Sequence, residues 1–153
     1  MPQLDGFTTG TYSNLDSSEI EDGKRWLVVS PYVAHAHLLN LATITEPQRL
    51  LAKALTVMKP IRSDYATASY QESFNWSEII CTLKDLITAT GLHWAQQSFY
   101  VVVFRSQVLA STDRARLAAL DERSHAEAMK SGGLLKYWFG IPDGGYRNLA
   151  TCE

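Results

Sequence analysis

The sequence predicts an α+β fold in which a β-α-β-β unit follows a mainly helical first half. Residues 98–105 (SFYVVVFR) form a short β-branched and aromatic run, and a long stretch of helix-forming residues follows. Two further strand-like runs then flank a Pro-Asp-Gly-Gly turn at 142–145. This order matches the first three-quarters of a ferredoxin-like β-α-β-β-α-β unit.

The chain begins with a polar segment. Residues 1–23 are rich in Thr, Ser, Asp, Gly and Glu, and this composition predicts a flexible leader. Residues 26–32 (WLVVSPY) predict a first short strand, and Pro31 limits it to a strand end or a sheet edge.

Three helices are predicted in the first half. Thr45 and Gln48 have capping-box spacing, and a helix that begins there ends before Pro60. Residues 63–76 predict a second helix. Ser77 begins a third one, an amphipathic helix that Gly91 terminates.

The second half predicts one long helix between strands. The apolar run at 98–105 is typical of a central strand covered on both faces. A helix then extends from residue 112 or 113 to 130, and residues 134–139 and 147–152 form a hairpin. Since a bare edge on such a sheet attracts other chains, either the strand at 26–32 or a second copy of the protein covers it.

Composition favours one globular domain and excludes several classes. The chain has 153 residues, 46% hydrophobic and 20% charged, with a formal net charge of −2. We expect a single domain at 24–153, with a mainly helical part at 24–97 and the β-α-β-β part at 98–153. The mixed, nearly balanced charges argue against nucleic acid as a partner. The longest apolar run, 99–104, is too short to cross a membrane. With no secretory signal at 1–10, a cytoplasmic protein with reduced Cys81 and Cys152 is expected.

Several blocks of the sequence resemble a family of uncharacterised fungal proteins. They are LLNLATITEPQRLLAKAL, SDYATASYQESFNW, QSFYVVVFRSQV, and HAEAMKSGGLLKYWFGIPD with RNLATC. The resemblance implies a helical N-terminal part and an α+β C-terminal part. The C-terminal part also resembles half of a dimeric α+β barrel, which implies a homodimer around a small-molecule cavity. Family members continue past the ATC block through another helix and strand, whereas this sequence ends at Glu153.

Two residues are predicted to be catalytic. His125 lies on the long helix near the edge of its buried face, where an imidazole can exchange a proton at neutral pH. The alternative is a boundary histidine bonded to a backbone carbonyl. Arg105 ends the apolar strand, and its guanidinium requires a partner, either an anionic substrate group or a carboxylate of the protein.

A second set of residues is predicted to bind substrate. The region 64–76 is dense in aromatic and hydrogen-bonding groups, and Tyr137 and Trp138 lie on opposite faces of one strand. The alternative interpretation is that these aromatic residues belong to the core. The predicted set is Asp64, Tyr65, Tyr70, Glu72, Asn75, Trp76, Tyr137 and Trp138.

No metal or cofactor is predicted. His35 and His37 form an H-x-H pair whose side chains share one side of an extended backbone, but no further ligand occurs at a recognisable spacing. Nucleotide-binding, hydrolase-elbow and zinc-protease motifs are absent from the sequence. We therefore predict a cofactor-free enzyme of fungal specialised metabolism, of cyclase, isomerase or dehydratase type, that acts on a small apolar substrate. The alternative is a non-catalytic binding or assembly module that dimerises through an open sheet edge.

Overall fold

The computed structural model describes residues 24–153, so the predicted leader lies outside the described residues. The fold is mixed α+β. Its strands are β1 (Trp26–Val28), β2 (Leu38–Asn40), β3 (Val102–Gln107), β4 (Tyr137–Phe139) and β5 (Arg147–Cys152). Its α-helices are α1 (Glu46–Ala54), α2 (Tyr70–Ser73), α3 (Trp76–Thr90) and α4 (Arg114–Ser131). In the described range no helix is both long and apolar enough to span a bilayer.

The predicted start of α1 and the predicted end of α3 are confirmed. The Thr45 backbone N–H donates to Gln48 Oε1 at 2.9 Å, and a 3-10 turn, Leu55–Val57, follows α1 before Pro60. Helix α3 ends at Gly91, whose φ of 67° is left-handed, a conformation that glycine adopts without a steric penalty.

The prediction of a helix over 63–76 is wrong. This segment consists mainly of turns, and its helical parts are the four residues of α2 and Trp76, where α3 begins. Long-range contacts determine its shape: Phe74 forms an antiparallel bridge with Pro60, and the Asn75 side chain accepts from the Lys59 N–H at 2.8 Å. The same side chain donates to the Val57 carbonyl at 2.9 Å. These bonds outweigh the weak helical pattern.

Two antiparallel sheets are present. Strands β1 and β2 form a hairpin, and the other three strands form a sheet in the order β3-β5-β4. Because β5 is antiparallel to both of its neighbours, β3 and β4 run parallel to each other, and α4 connects them.

The expectation that 98–105 is a central strand is wrong. Strand β5 is central, and β3 lies at the sheet edge with Phe104 53% exposed. An apolar β-branched run indicates a strand but not which strands lie beside it. The sequence pattern therefore could not distinguish a central strand from an edge strand. Strand β1 pairs with β2 and not with this edge, although the Val29 carbonyl accepts from the Tyr137 N–H of β4 at 2.9 Å.

The hydrophobic core lies between the N-terminal helices and one face of the larger sheet. Helices α1 and α3 pack against each other there, and Leu149 of β5 is fully buried. The largest fully buried apolar side chains are those of Phe74, Leu50, Leu55, Ile79, Leu135, Leu149 and Val29.

Candidate active site

The opposite face of the sheet borders a cavity of about 680 Å³ beneath α4. Alternate residues of β5 divide between the two faces: Leu149 and Thr151 are buried in the core, whereas Asn148, Ala150 and Cys152 line the cavity. The other lining residues outside α4 are Tyr32, Phe104, Ser106, Leu134, Tyr137, Phe139, Gly140, Pro142. Most of these side chains are apolar, so the cavity suits an apolar ligand.

Helix α4 contributes one stripe of residues to the cavity. Asp113 caps the helix by accepting from the Arg116 N–H at 3.0 Å. The lining residues recur at intervals of three and four, as one helix face requires, and they are Arg114, Leu117, Ala118, Asp121, Ser124, His125 and Ala128. His125 is the residue of this helix that is buried.

Asp121, a lining residue of the cavity, binds two tyrosine hydroxyls. Tyr32 donates to Oδ2 at 2.5 Å, and Tyr137 donates to Oδ1 at 2.6 Å. Burial raises the pKa of both tyrosines, and the hydrogen bond to Asp121 and its negative charge raise it further. Both hydroxyls therefore stay protonated at neutral pH, and their protons point at the carboxylate.

Two buried histidines lie next to this group. His37 Nδ1 and His125 Nδ1 are 2.8 Å apart, and each residue is only 4% exposed. The His125 ring centroid is 5.2 Å from that of Tyr32 and 5.3 Å from that of Tyr137. Burial lowers the pKa of His125, the proximity of His37 lowers it further, and Asp121 partly opposes both effects. His125 is therefore neutral at neutral pH.

One nitrogen of His125 has no partner within the protein. The two Nδ1 atoms share one hydrogen bond, and His37 Nε2 lies 3.6 Å from Glu122 Oε1. His125 Nε2 is buried without a hydrogen-bond partner among the described residues.

Comparison with known proteins identifies the family. Residues 28–153 match the model of the PB2B2.08-like family. The chain belongs to this family. One relative, the UPF0643 protein PB2B2.08 of Schizosaccharomyces pombe, is 39% identical over 144 residues, a match that covers 90% of this chain. The chain spans 65% of the length of that fission yeast protein. No solved structure matches the chain.

The yeast relative confirms the resemblance to a fungal family. The structure of this family member brings only some of the predicted site residues together. His125 and Tyr137 line the cavity, whereas Trp138 lies on the opposite face of the sheet, with its ring centroid 5.0 Å from that of Phe74.

Arg105 does not reach the cavity. In β3 it alternates with Phe104 and Ser106, which line the cavity, so it lies on the other face of the sheet. Its guanidinium donates to the carbonyls of Tyr65 at 3.2 Å, Ala66 at 2.5 Å and Ala68 at 2.5 Å. The expected anionic partner is therefore replaced by three backbone carbonyls, which satisfy the same donors.

The other predicted binding residues are also outside the cavity. Tyr65 packs against Trp138 and exchanges hydrogen bonds with the Ile141 backbone, and Tyr70 donates to Glu153 Oε1 at 2.6 Å. Asp64 and Glu72 pair with Arg62 at the surface. Asn75 bridges backbone groups, and the Trp76 ring packs against Tyr70. These contacts support the alternative interpretation, in which the aromatic residues of 64–76 belong to the core.

The H-x-H pair is divided between two environments. The segment His35–His37 is a 3-10 turn and not an extended strand, so the expectation that both rings share one side is wrong. His35 contacts Trp26, with ring centroids 4.3 Å apart, while His37 points to His125. Within the described range, no three His, Cys, Asp or Glu residues are grouped to bind a metal.

Sequence patterns did not predict three residues of the site: Tyr32, His37 and Asp121. Asp121 alternates with arginines on α4, a pattern that predicts a solvated, ion-paired face, but it instead accepts two buried hydroxyls. Its spacing of four from His125 is the one signal that places both residues on one helix face. Tyr32 and His37 approach α4 only through the fold.

Proposed function

We propose that the chain is a cofactor-free enzyme that binds an apolar small molecule beneath α4 and transfers a proton through His125. The observation that carries this proposal is that His125 lines an apolar cavity and that its Nε2 is buried without a hydrogen-bond partner among the described residues. In this proposal His125 donates from Nδ1 to His37, which leaves Nε2 unprotonated. An imidazole that is neutral at neutral pH and has a free ring nitrogen is a general base. Removal of this nitrogen from water strengthens its interaction with a substrate proton.

In the proposed step, His125 Nε2 takes a proton from a C–H or O–H group of the substrate. The electron pair of the broken bond stays in the substrate. The same proton then returns to another substrate atom, which gives an isomerisation or cyclisation, or to a leaving hydroxyl group, which gives a dehydration. The balance of protons and electrons requires no co-reactant.

The neighbouring acids stabilise the imidazolium formed in this step. Asp121 already raises the pKa of His125 through its charge. Glu122 acts through His37, which accepts a hydrogen bond from His125 at one ring nitrogen and faces the carboxylate with the other. This chain of groups orients the base and offsets the charge that it gains.

Tyr32 and Tyr137 have positioning roles in this proposal. Because their protons are committed to Asp121, their oxygens accept hydrogen bonds. A substrate hydroxyl can therefore donate to them. Tyr65 and Tyr70, which were expected to share this role, are bonded elsewhere and take no part.

The fold and setting are part of the same proposal. The order β3-β5-β4, with α4 between its outer strands, supports a ferredoxin-like arrangement. We propose that the chain is part of a dimeric α+β barrel and acts in the cytoplasm on a polycyclic or polyketide-like substrate of fungal specialised metabolism.

The test uses a probe substrate, 5-nitrobenzisoxazole. A base removes the C–H proton of its isoxazole ring, the N–O bond breaks, and a coloured cyanophenolate forms, so absorbance reports proton abstraction directly. We expect the protein to accelerate the opening beyond an equal concentration of free imidazole. His125→Asn should reduce this acceleration at least about tenfold, since it removes the base.

The matched control is His93→Asn, which changes an exposed histidine and should leave the rate unchanged. Thermal unfolding of both variants shows whether each is folded. Equal rates for folded His125→Asn and the unmodified protein would overturn the proposal, as would a rate no greater than that of imidazole.

A second candidate function is the assembly module. In the described chain no strand pairs with the outer edge of β3, and the apolar residues Val102 and Phe104 of this strand are about half exposed. Such an edge can pair with that of a second copy to form one continuous sheet. Replacing Ser106 by Pro should then convert a dimer into a monomer in size-exclusion chromatography. A monomer at every concentration of the unmodified protein excludes this function and leaves the enzyme proposal in place.

A further inference from the structure

We infer that the ligand of the cavity is an elongated apolar anion, oriented with its negative group at Arg114 and its reacting atoms at His125. This inference rests on the proposed function and adds the class of its substrate. It follows from the distribution of charge along the cavity. Along α4 the lining begins with the cationic Arg114, continues with the apolar Leu117 and Ala118, and reaches Asp121 and His125 about two and three turns further on.

Arg114 is available to bind an anion. Its guanidinium carbon is 5.5 Å from the centroid of the Tyr146 ring, and among the described residues it forms no ion pair. The planar guanidinium presents several N–H donors to a carboxylate or sulfonate. Arg114 also begins α4, where the helix dipole favours negative charge.

The spacing along α4 sets the length of the ligand. Arg114 and His125 are eleven positions apart, which corresponds to about 16 Å along the helix axis. The strand pairing places the two ends of the cavity in the same order. Ser106 pairs with Asn148 at one end of the sheet, and Tyr137, which contacts His125, pairs with Cys152 at the other end. The Arg114 end of the cavity therefore lies near Ser106 and Asn148, because β3 leads to the start of α4.

Asn148 adds a second recognition element near that end. Its Nδ2 donates to the Gly140 carbonyl at 2.9 Å, whereas its Oδ1 is buried without a partner in the described part of the chain. An unpaired buried acceptor is costly, and a ligand hydroxyl beside the anionic group would satisfy it. The reverse orientation is disfavoured, since it would place the anion beside the Asp121 carboxylate.

The other titratable side chain in the cavity has no part in this recognition. Burial raises the pKa of the Cys152 thiol to about 11, and the nearby charges of Glu153 and Asp121 contribute. The thiol is therefore protonated at neutral pH, and neither repels an anion nor acts as a nucleophile.

A pair of matched fluorescent probes tests the inference. 8-Anilinonaphthalene-1-sulfonate and N-phenyl-1-naphthylamine share one aromatic skeleton and differ by the sulfonate. We expect Arg114→Gln to weaken binding of the sulfonate at least about tenfold, because a charge-assisted hydrogen bond is lost, and to change binding of the neutral probe less than about twofold.

The control is Arg116→Gln, which changes an arginine of the same helix that does not line the cavity and should change neither affinity. If Arg114→Gln leaves sulfonate binding unchanged, or weakens both probes equally, the inference is wrong. The proposed function fails separately, when 5-nitrobenzisoxazole opening does not depend on His125. Absence of binding for both probes would overturn the inference, since the cavity would then not accept an elongated apolar anion.

Discussion

The two faces of the β3-β5-β4 sheet are made from alternate residues of the same strands but have different surroundings. Leu149 and Thr151 of β5 point into a core that the N-terminal helices fill, whereas Ala150 and Cys152 face an open cavity. The filled face is covered by packed side chains, and its polar residues Arg105 and Thr151 are bonded within the protein. The other face combines apolar walls with Asp121, two tyrosines and His125. The comparison indicates that one face supplies the stability and that the other is free to serve a ligand.

The largest expected effect comes from removing one phenylalanine from each face. Phe74→Ala should lower the free energy of unfolding by about 3–5 kcal/mol, since Phe74 is 2% exposed and its loss leaves a cavity in the core. Phe104→Ala should cost at most about 1 kcal/mol, because this ring is half exposed already. Urea unfolding measures both. Similar losses would mean that the two faces do not differ as described.

The sequence predicts the locally determined parts of this fold. A helix begins at Thr45 with Gln48, another begins at Asp113, and one ends at Gly91. Each of these signals acts on residues within a few positions, and the observed helix boundaries lie within one or two residues of the predicted ones. The position of β3 at the sheet edge depends on which strands meet after the chain returns, and no local pattern contains that information.

The candidate site was only half predictable for the same reason. His125 and Tyr137 stand out by type and by position in their elements. The role of Asp121 depends on Tyr32, which is 89 positions away in sequence, and His37 is 88 positions from His125. Contacts over such separations follow from the tertiary fold. The prediction that Arg105 is catalytic was wrong for the same reason, since its backbone partners lie 37 to 40 positions away.

A smaller effect is expected from Asp121→Asn. The change removes the negative charge and one of the two acceptors, so we expect a loss of about 1–3 kcal/mol in the free energy of unfolding. The pKa of Tyr32 and of Tyr137 should fall part of the way toward the ordinary value of about 10, because burial still raises it but the charge of Asp121 and the hydrogen bond to a carboxylate are gone.

Ultraviolet absorbance of tyrosinate during alkaline titration checks this prediction. Asp85→Asn changes an exposed carboxylate of α3 and serves as the control. An unchanged tyrosine titration in Asp121→Asn would mean that Asp121 does not hold the two hydroxyls in solution.

The buried His125 should make stability depend on pH. The pKa of His125 is lower in the folded state than in the unfolded state, where it is about 6.5. Below that value the unfolded state binds more protons, so stability falls with decreasing pH until the folded pKa is reached. The slope for one such group is at most about 1.4 kcal/mol per pH unit.

Urea unfolding between pH 7.5 and pH 5 measures this slope, before most carboxylates titrate. The groups that face His125 are His37, Asp121, Tyr32 and Tyr137. His125→Asn should remove most of the slope, and His93→Asn should retain it. A slope that survives in His125→Asn would assign the effect to other groups.

The smallest effect on stability is expected from filling the cavity. Ala128 lines the cavity on α4, and Ala119 is an exposed residue of the same helix outside the lining. Alanine and leucine both favour helix, so Ala128→Leu and Ala119→Leu should each change the free energy of unfolding by less than about 0.5 kcal/mol. Only Ala128→Leu should weaken binding of N-phenyl-1-naphthylamine, because only that side chain occupies ligand space. In a closely packed interior the same added volume costs about 1–3 kcal/mol. A loss of that size in Ala128→Leu would show that the α4 face is packed as tightly as the core face, and the distinction between a structural face and a ligand face would fail.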